Sequence, residues 1–291
     1  MAFFDTHCHI DFDEFEDDRD KVLADAAHFN VSHILVPGVT LTQSAKLLSL
    51  ENTQGITFYK ALGLHPYFLN EHQEGDFERL AILANTHREF LVAIGECGID
   101  RSIENLDYQQ QLFIQHIELA NQLLLPMVVH HRKSHDLIAE AFKTLKPKCG
   151  GIIHAFSGSA QVANYYIEQG FKLGVGATIT YSRAEKTRNV IANLPAEHLV
   201  LETDAPSMPL SGYQGERNVP SQIIRVFDAL SELKGVETQS ARQLLAEQLY
   251  ASSCSALRIY RLTCQRLILR AKTQVSTTLK INIRAICLLT S

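Results

Sequence analysis

Histidine and carboxylate side chains occupy the positions of this 291-residue chain best suited to chemistry. His7 and His9 flank Cys8. Two residues apart on an extended chain they face the same side, so both imidazoles can converge on one point while Cys8 faces away. His65 precedes Pro66, Glu96 follows Gly95, His130 follows Val129, His154 follows Ile153, and Glu202-Thr203-Asp204 brings further carboxylates. Imidazole and carboxylate together suit zinc, manganese or iron, and magnesium where carboxylates dominate. Taken singly, each of these histidines reads as an ordinary core or rim residue. Their meaning depends on where the surrounding elements place them.

Each of them closes or follows an apolar, β-branched run. Strands are predicted over residues 3–9, 34–39, 57–64, 91–95, 127–130, 151–154, 171–175 and 199–203. Helices are predicted over 18–30, 43–51, 77–88, 108–124, 136–145, 160–169, 184–193 and 221–234, with Pro126, Gly170, Pro195 and Gly235 as stop signals. Eight strand–helix units with near-continuously apolar strands imply a parallel sheet buried on both faces. They fit an α/β chain closed as a (β/α)8 barrel, with a doubly wound open sheet as runner-up. In a barrel the C-terminal strand ends form the mouth. His7, His9, Glu96, His130, His154 and Asp204 would then share one small volume, where buried unpaired charge is costly. By contrast, His28, His87 and His116 fall in predicted helices, His33 and His198 precede strands, and His72 lies in a loop; these read as surface or structural. One domain is expected over residues 1–256, ending in an extra helix over 238–256.

The composition is that of a globular chain, 46% hydrophobic and 20% charged. No apolar run is long enough to cross a membrane as a helix. The first ten residues lack the basic and apolar regions of a secretory signal, so a cytoplasmic setting is expected. Six cysteines without a C-x-x-C pair read as reduced thiols. All 32 acidic residues lie before residue 255, making the body acidic, which argues against indiscriminate grip on duplex phosphates. An anionic substrate would need local positive charge, such as bound metal ions. The chain has no G-x-S-x-G and no phosphate-binding P-loop, and Gly174-Val175-Gly176 lacks the third glycine of a dinucleotide site.

The candidate residues lie in segments that resemble the TatD family of metal-dependent hydrolases, most closely its bacterial YjjV branch. These are DTHCHIDF (5–12), LGLHP (62–66), GECGID (95–100), VVHHRKSHD (128–136), IIHAFSGS (152–159), KLGVGATITYSRAEKTR (172–188) and LETDAPSMPLSGYQGERNVP (201–220). They occur in family order across about residues 3–255; an HxH pair alone would not be specific. The resemblance implies an amidohydrolase-like TIM barrel with two divalent cations (magnesium, manganese or zinc). It also implies phosphodiester hydrolysis by metal-activated hydroxide, as a deoxyribonuclease acting on single-stranded or end-frayed DNA. By the same resemblance, His7, His9 and Asp204 hold the first cation, Glu96 bridges both, and His130 and His154 hold the second. Glu96 and Asp204 are the catalytic residues, Asp204 taking the water's proton. Cys97 and His131 depart from the residues usual there but replace no ligand.

Two other readings keep the same residues. One is an amide- or ester-bond hydrolase of the amidohydrolase type, since acyl hydrolysis uses the same nucleophile. The other is a non-catalytic metal-binding scaffold, against which the intact ligand set argues. For the substrate, His65 is a candidate donor to a phosphate oxygen, and Arg132 and Lys186 are candidate phosphate clamps; Tyr181, Arg183 and Arg217 share that status. The acidic run from Asp11 to Asp18 reads as a solvated loop entering the first helix. No membrane association and no obligate protein partner are expected. Residues 257–291 carry Arg258, Arg261, Arg266, Arg270, Lys272, Lys280 and Arg284 with no acid, and lie outside the resemblance. They read as a stretch reached by frameshift or readthrough; the rival is a basic extension that helps hold nucleic acid.

Overall fold

The computed structural model describes residues 1–259, with Met1–Leu257 as one compact unit. The basic segment over 257–291 therefore lies, after its first three residues, outside the described residues. Eight parallel strands pair in chain order: β1 (Phe3–Asp5), β2 (Val31–Pro37), β3 (Thr57–Leu62), β4 (Leu91–Asp100), β5 (Met127–Arg132), β6 (Gly151–Ile153), β7 (Phe171–Val175) and β8 (Leu199–Leu201). The ring closes just past the ends of β1 and β8. There Thr6 N–H donates to Leu201 O at 2.9 Å, Asp204 N–H to His7 O at 2.8 Å and His9 N–H to Ala205 O at 2.8 Å. An unbroken neighbour-to-neighbour order that closes on itself is a barrel; a doubly wound sheet reverses its strand order partway.

The crossover helices are α1 (Arg19–His28), α2 (Leu41–Leu47), α3 (Asp76–Thr86), α4 (Leu106–Leu123), α5 (His135–Thr144), α6 (Ala160–Glu168), α7 (Glu185–Asn193) and α8 (Ile223–Leu233). Their inward faces follow helical periodicity: α8 buries Ile223, Val226, Phe227 and Leu230. Thr40 and Ser159 cap α2 and α6 by accepting the N–H groups of Gln43 and Val162, each cap contributing about 1 kcal/mol. The strands are apolar on both faces, and Ile152, Ile153, Leu199 and Val200 have no exposed surface. The final helix, α9 (Gln239–Ala256), packs against β1, β7 and β8. Its Ser252 hydroxyl donates to Glu197 O, just before β8 begins. It covers the end of the barrel opposite the strand termini that carry the candidate residues. No helix among the described residues is long and apolar enough to cross a membrane.

Several strands begin or end a few residues from expectation (β2 covers Val31–Pro37 rather than 34–39), and two of these differences bear on the site. β4 runs on to Asp100 instead of stopping at Gly95. Its register against β5 shifts between Ile94 and Cys97, where three steps on β4 match two on β5. Such a bulge bends a strand and re-aims a side chain, here that of Glu96. Beyond it Gly98 lies opposite His130, with a φ of +153° and no room for a side chain, because a Cβ would stand 2.0 Å from the His130 carbonyl oxygen. β1 is shorter than predicted and ends at Asp5. His7 and His9 lie in its extended continuation, where Cys8 bridges Ala205.

Candidate metal centre

Glu96 stands at the middle of the barrel mouth, almost fully buried. Its Oε2 lies 2.9 Å from His7 Nε2 and 3.5 Å from His9 Nε2. Its Oε1 lies 3.1 Å from His65 Nε2 and 3.2 Å from His130 Nδ1. One carboxylate therefore faces two separate imidazole pairs. The Nε2 atoms of His7 and His9 are 3.2 Å apart, as their alternation across Cys8 requires. Asp204 Oδ1 completes the first set, 3.7 Å from each of those nitrogens and 3.6 Å from His154 Nε2.

Two further carboxylates stand behind the outer histidines. His130 Nε2 lies 3.1 Å from Asp100 Oδ2, and Asp100 is itself fixed by the Ser102 N–H and hydroxyl at 2.8 and 2.6 Å. His154 Nδ1 lies 3.1 Å from Glu202 Oε1, a contact that is off the hydrogen-bond axis. Each ring thus turns one nitrogen toward Glu96 or Asp204 and the other toward a backing carboxylate. Backing carboxylates of this kind orient a metal-ligating histidine and raise its basicity. Asp5 links the two strand ends: it accepts the Thr203 hydroxyl at 2.6 Å and the Thr203 N–H at 2.9 Å, and the His7 N–H at 3.3 Å. Asp204, whose N–H donates to His7 O across this junction, has φ 60°, a left-handed conformation that Asp tolerates better than most residues.

The two glycines that fail as a dinucleotide motif have a packing role. A Cβ on Gly174 would stand 2.2 Å from Glu202 Oε2, and one on Gly176 3.3 Å from Glu202 Cγ. They leave the space in which Glu202 lies, while the Ala155 N–H donates to its Oε1 at 2.6 Å. We expect Gly174→Ala to displace Glu202, to destabilise the fold by about 1–3 kcal/mol, and to weaken metal binding through His154. Urea unfolding and metal content check this; a variant unchanged in both would show that Glu202 needs no such cradle.

The electrostatics follow from this crowding. Burial by itself would raise Glu96, but His65, His7 and His130 outweigh it and hold the carboxyl well below the usual range. Burial likewise acts against Asp204, and His154, His7 and His9 keep it ionised. His154 is pushed well up despite its burial, by Glu202 and Asp204. His65 goes the other way: burial brings it down to about 4, against the pull of Glu96. It is neutral, and its Nδ1 accepts the Tyr67 N–H at 3.0 Å. A backbone N–H can only donate, so the ring proton sits on Nε2 and points at Glu96 Oε1. His65 is a donor at this site, with no lone pair to offer a cation there.

The structure thus brings His7, His9, His65, Glu96, His130, His154 and Asp204 together. All but the fully buried His7 line a cleft of about 1490 Å³. Arg132 lines the cleft, whereas Lys186 is exposed and does not line it. The other second-rank candidates have structural partners. Arg217 pairs with Asp18 at 2.6 Å, bonds to Glu14 O and lies over the Phe15 ring, so part of the acidic run is held rather than freely solvated. Tyr181 donates to Pro209 O and sits under Arg183. His116 is structural as expected: its Nε2 accepts the Leu64 N–H at 3.1 Å. Sequence reasoning gave no role to Asp5 or Asp100 and noted Glu202 only as a strand-end carboxylate, although the DTHCH, GECGID and LETD segments contain them.

A family model described as TatD related DNase matches residues 4–251. The chain is 41% identical over 251 residues to YjjV, an uncharacterized metal-dependent hydrolase of Escherichia coli, spanning 85% of this chain and 96% of that protein. It is 36% identical over 258 residues to an uncharacterized metal-dependent hydrolase of Haemophilus influenzae, spanning 85% and 97%. The crystal structure of the Escherichia coli YjjV, a TatD homologue, matches with a TM-score of 0.81 at 41% identity, covering 87% of this chain and 97% of that one. With the family matched over nearly the whole barrel and its acidic and histidine residues gathered at the mouth, the chain belongs to the TatD family of metal-dependent hydrolases.

Proposed function

We propose that this hydrolase is a two-cation phosphodiesterase of the cytoplasm that cleaves DNA from single-stranded or frayed ends. The observation that carries the two-cation reading is Glu96, whose Oε2 faces His7 and His9 while its Oε1 faces His130. His7, His9 and Asp204 would hold one cation and His130 and His154 the other, with Glu96 shared. The donors fit such ions: His7 and His9 turn two ring nitrogens and Glu96 an oxygen toward one point, and His130 and His154 have carboxylates behind them. Magnesium, manganese and zinc are all compatible with a mixed imidazole and carboxylate set. When bound, such ions supply positive charge to the phosphoryl oxygens and a water acidified toward neutral pH.

The chain's own groups do the rest. Asp204 turns Oδ1 to the imidazoles, and its Oδ2 makes no hydrogen bond among the described residues. Oδ2 is the atom that takes the proton of the attacking water. His65 Nε2–H, which points at Glu96 Oε1 at 3.1 Å, turns to a phosphate oxygen of the bound strand, and the Arg132 guanidinium holds the next phosphate from the cleft wall. The family description, TatD related DNase, supports phosphodiester over acyl substrates.

The test is hydrolysis of end-labelled single-stranded, frayed and blunt oligonucleotides with Mg²⁺, Mn²⁺ or Zn²⁺, beside a panel of amides, lactones and carboxylate esters. Shortening of the single strands is expected; acyl hydrolysis with intact oligonucleotides would replace this reading with the amidohydrolase one.

Two variant series refine the assignment. His154→Ala should lower metal content, while His65→Ala should keep it and raise KM; metal loss in His65→Ala would make His65 a ligand. Arg132→Ala should raise KM and reduce the salt dependence of DNA binding by about one phosphate contact. Lys186→Ala, outside the cleft, should change neither, and an equal effect of both would remove Arg132 from the phosphate path.

A further inference from the structure

Among the large apolar side chains that the described residues leave exposed, Tyr67 is the one that lines the metal-centre cleft, with 61% of its surface open. Its position is tied to the site. His65, whose Nε2 faces Glu96, accepts the Tyr67 N–H on Nδ1 and so caps the short helix Pro66–Glu71 that carries Tyr67 and Phe68. The rings form a continuous run away from the centre. Phe12 stacks on His9 at 4.5 Å and meets Phe68 edge-on at 6.2 Å. Phe68 lies 5.9 Å from His65 and 5.5 Å from Tyr67, each in a T-shaped pair. Phe12 and Phe68 are half-buried and support the wall; Tyr67 ends it, and its hydroxyl makes no hydrogen bond among the described residues.

Charge is uneven along the cleft. Asp13, Glu14 and Glu71 line it on the segments that carry the aromatic run, the Arg79 guanidinium in its wall is paired with Asp76 at 2.6 Å, Lys46 lines it from α2, and Arg132 lines it next to His130. The acidic groups flanking the rings disfavour phosphate there, and Arg132 attracts it beside His130. A neutral, flat group is what the aromatic side can accept, and a nucleotide whose phosphate is at the metal centre carries one within a single residue's reach.

We propose that Tyr67 and Phe68 form a stacking platform for an unpaired nucleobase of the strand being hydrolysed. The inference rests on the nuclease reading above and deepens it. A base inside a duplex already has both faces covered by its neighbours, so the platform selects for unpaired ends. Stacking on an aromatic side chain is tolerant of base identity, and the preference should be for the presence of a base rather than for its kind.

The experiment compares metal-loaded wild-type protein with Tyr67→Ala, Phe68→Ala and Tyr67→Phe on two single strands, one ending in thymidine and one in an abasic sugar. The expected kcat/KM ratio between them is about tenfold in the wild type, equivalent to about 1.4 kcal/mol. It should be retained in Tyr67→Phe and collapse toward one in the two alanine variants. A second readout needs no turnover: a methylphosphonate-linked strand ending in 2-aminopurine should lose fluorescence on binding wild-type protein and not on binding Tyr67→Ala. Oligonucleotide cleavage with a wild-type ratio near one, or a ratio and quenching untouched by the alanine variants, overturns the platform and leaves the nuclease reading standing. Absence of both oligonucleotide cleavage and quenching overturns the nuclease reading and the platform with it.

Discussion

Glu96→Ala is expected to lose on the order of 10³-fold or more in kcat, the scale seen when a preorganised charged group is removed from an active site. The reason is geometric. Glu96 is the one carboxylate among the described residues whose two oxygens reach both His7 and His130, so in the two-cation reading its removal takes a ligand from each set at once. It also leaves His7, His9, His65 and His130 crowded without the anion that balances them. Glu96→Gln should show nearly the same loss, because an amide keeps the shape but offers one oxygen and no charge. Steady-state kinetics on a single-stranded oligonucleotide checks both variants; turnover near wild type in either would end the bridging role.

Asp204→Asn should separate proton transfer from shape. Asn tolerates the left-handed backbone that Asp204 adopts, and the backbone bond from residue 204 N–H to His7 O does not depend on the side chain. The fold and the cleft should therefore persist. The variant cannot take a proton on Oδ2, and kcat should fall by about 10²–10⁴-fold, the range for loss of a general base, with KM changed much less. An Asn variant with a normal kcat and a raised KM would mean that Asp204 serves binding alone.

Much of the site was legible because it is written in strand ends. Alternation across Cys8 placed His7 and His9 together, and the apolar runs before His130 and His154 fixed which end of the barrel those residues occupy. Glu96 was found for a less secure reason: its predicted strand stopped one residue short of it, whereas a register shift inside a longer β4 turns it to the centre. Bulges leave no periodic signal, so position within the mouth could be read but aim could not.

The backing carboxylates were harder still. Asp100 and Glu202 act on histidines 30 and 48 residues away in sequence, and only the closed ring makes them neighbours. The role of His65 turned on which ring nitrogen the Tyr67 N–H occupies, a matter of one hydrogen bond in a short helix. Lys186 shows the converse. Its loop belongs to the barrel's mouth by topology, but its side chain is exposed and does not line the cleft. In sequence Gly174 and Gly176 read only as a failed nucleotide motif, because the side chain they make room for is that of Glu202 on the next strand's continuation.

Whether one carboxylate, Glu96, joins two cation sites at the mouth of this barrel is tested most directly by the number of divalent ions retained per chain, measured by inductively coupled plasma mass spectrometry after loading with manganese or zinc and removal of excess. Wild-type protein should hold about two, and Glu96→Ala, checked by circular dichroism to be folded, should hold fewer than one. A wild-type chain that saturates with a single ion, or a folded Glu96→Ala chain that still holds two, would contradict that joining role.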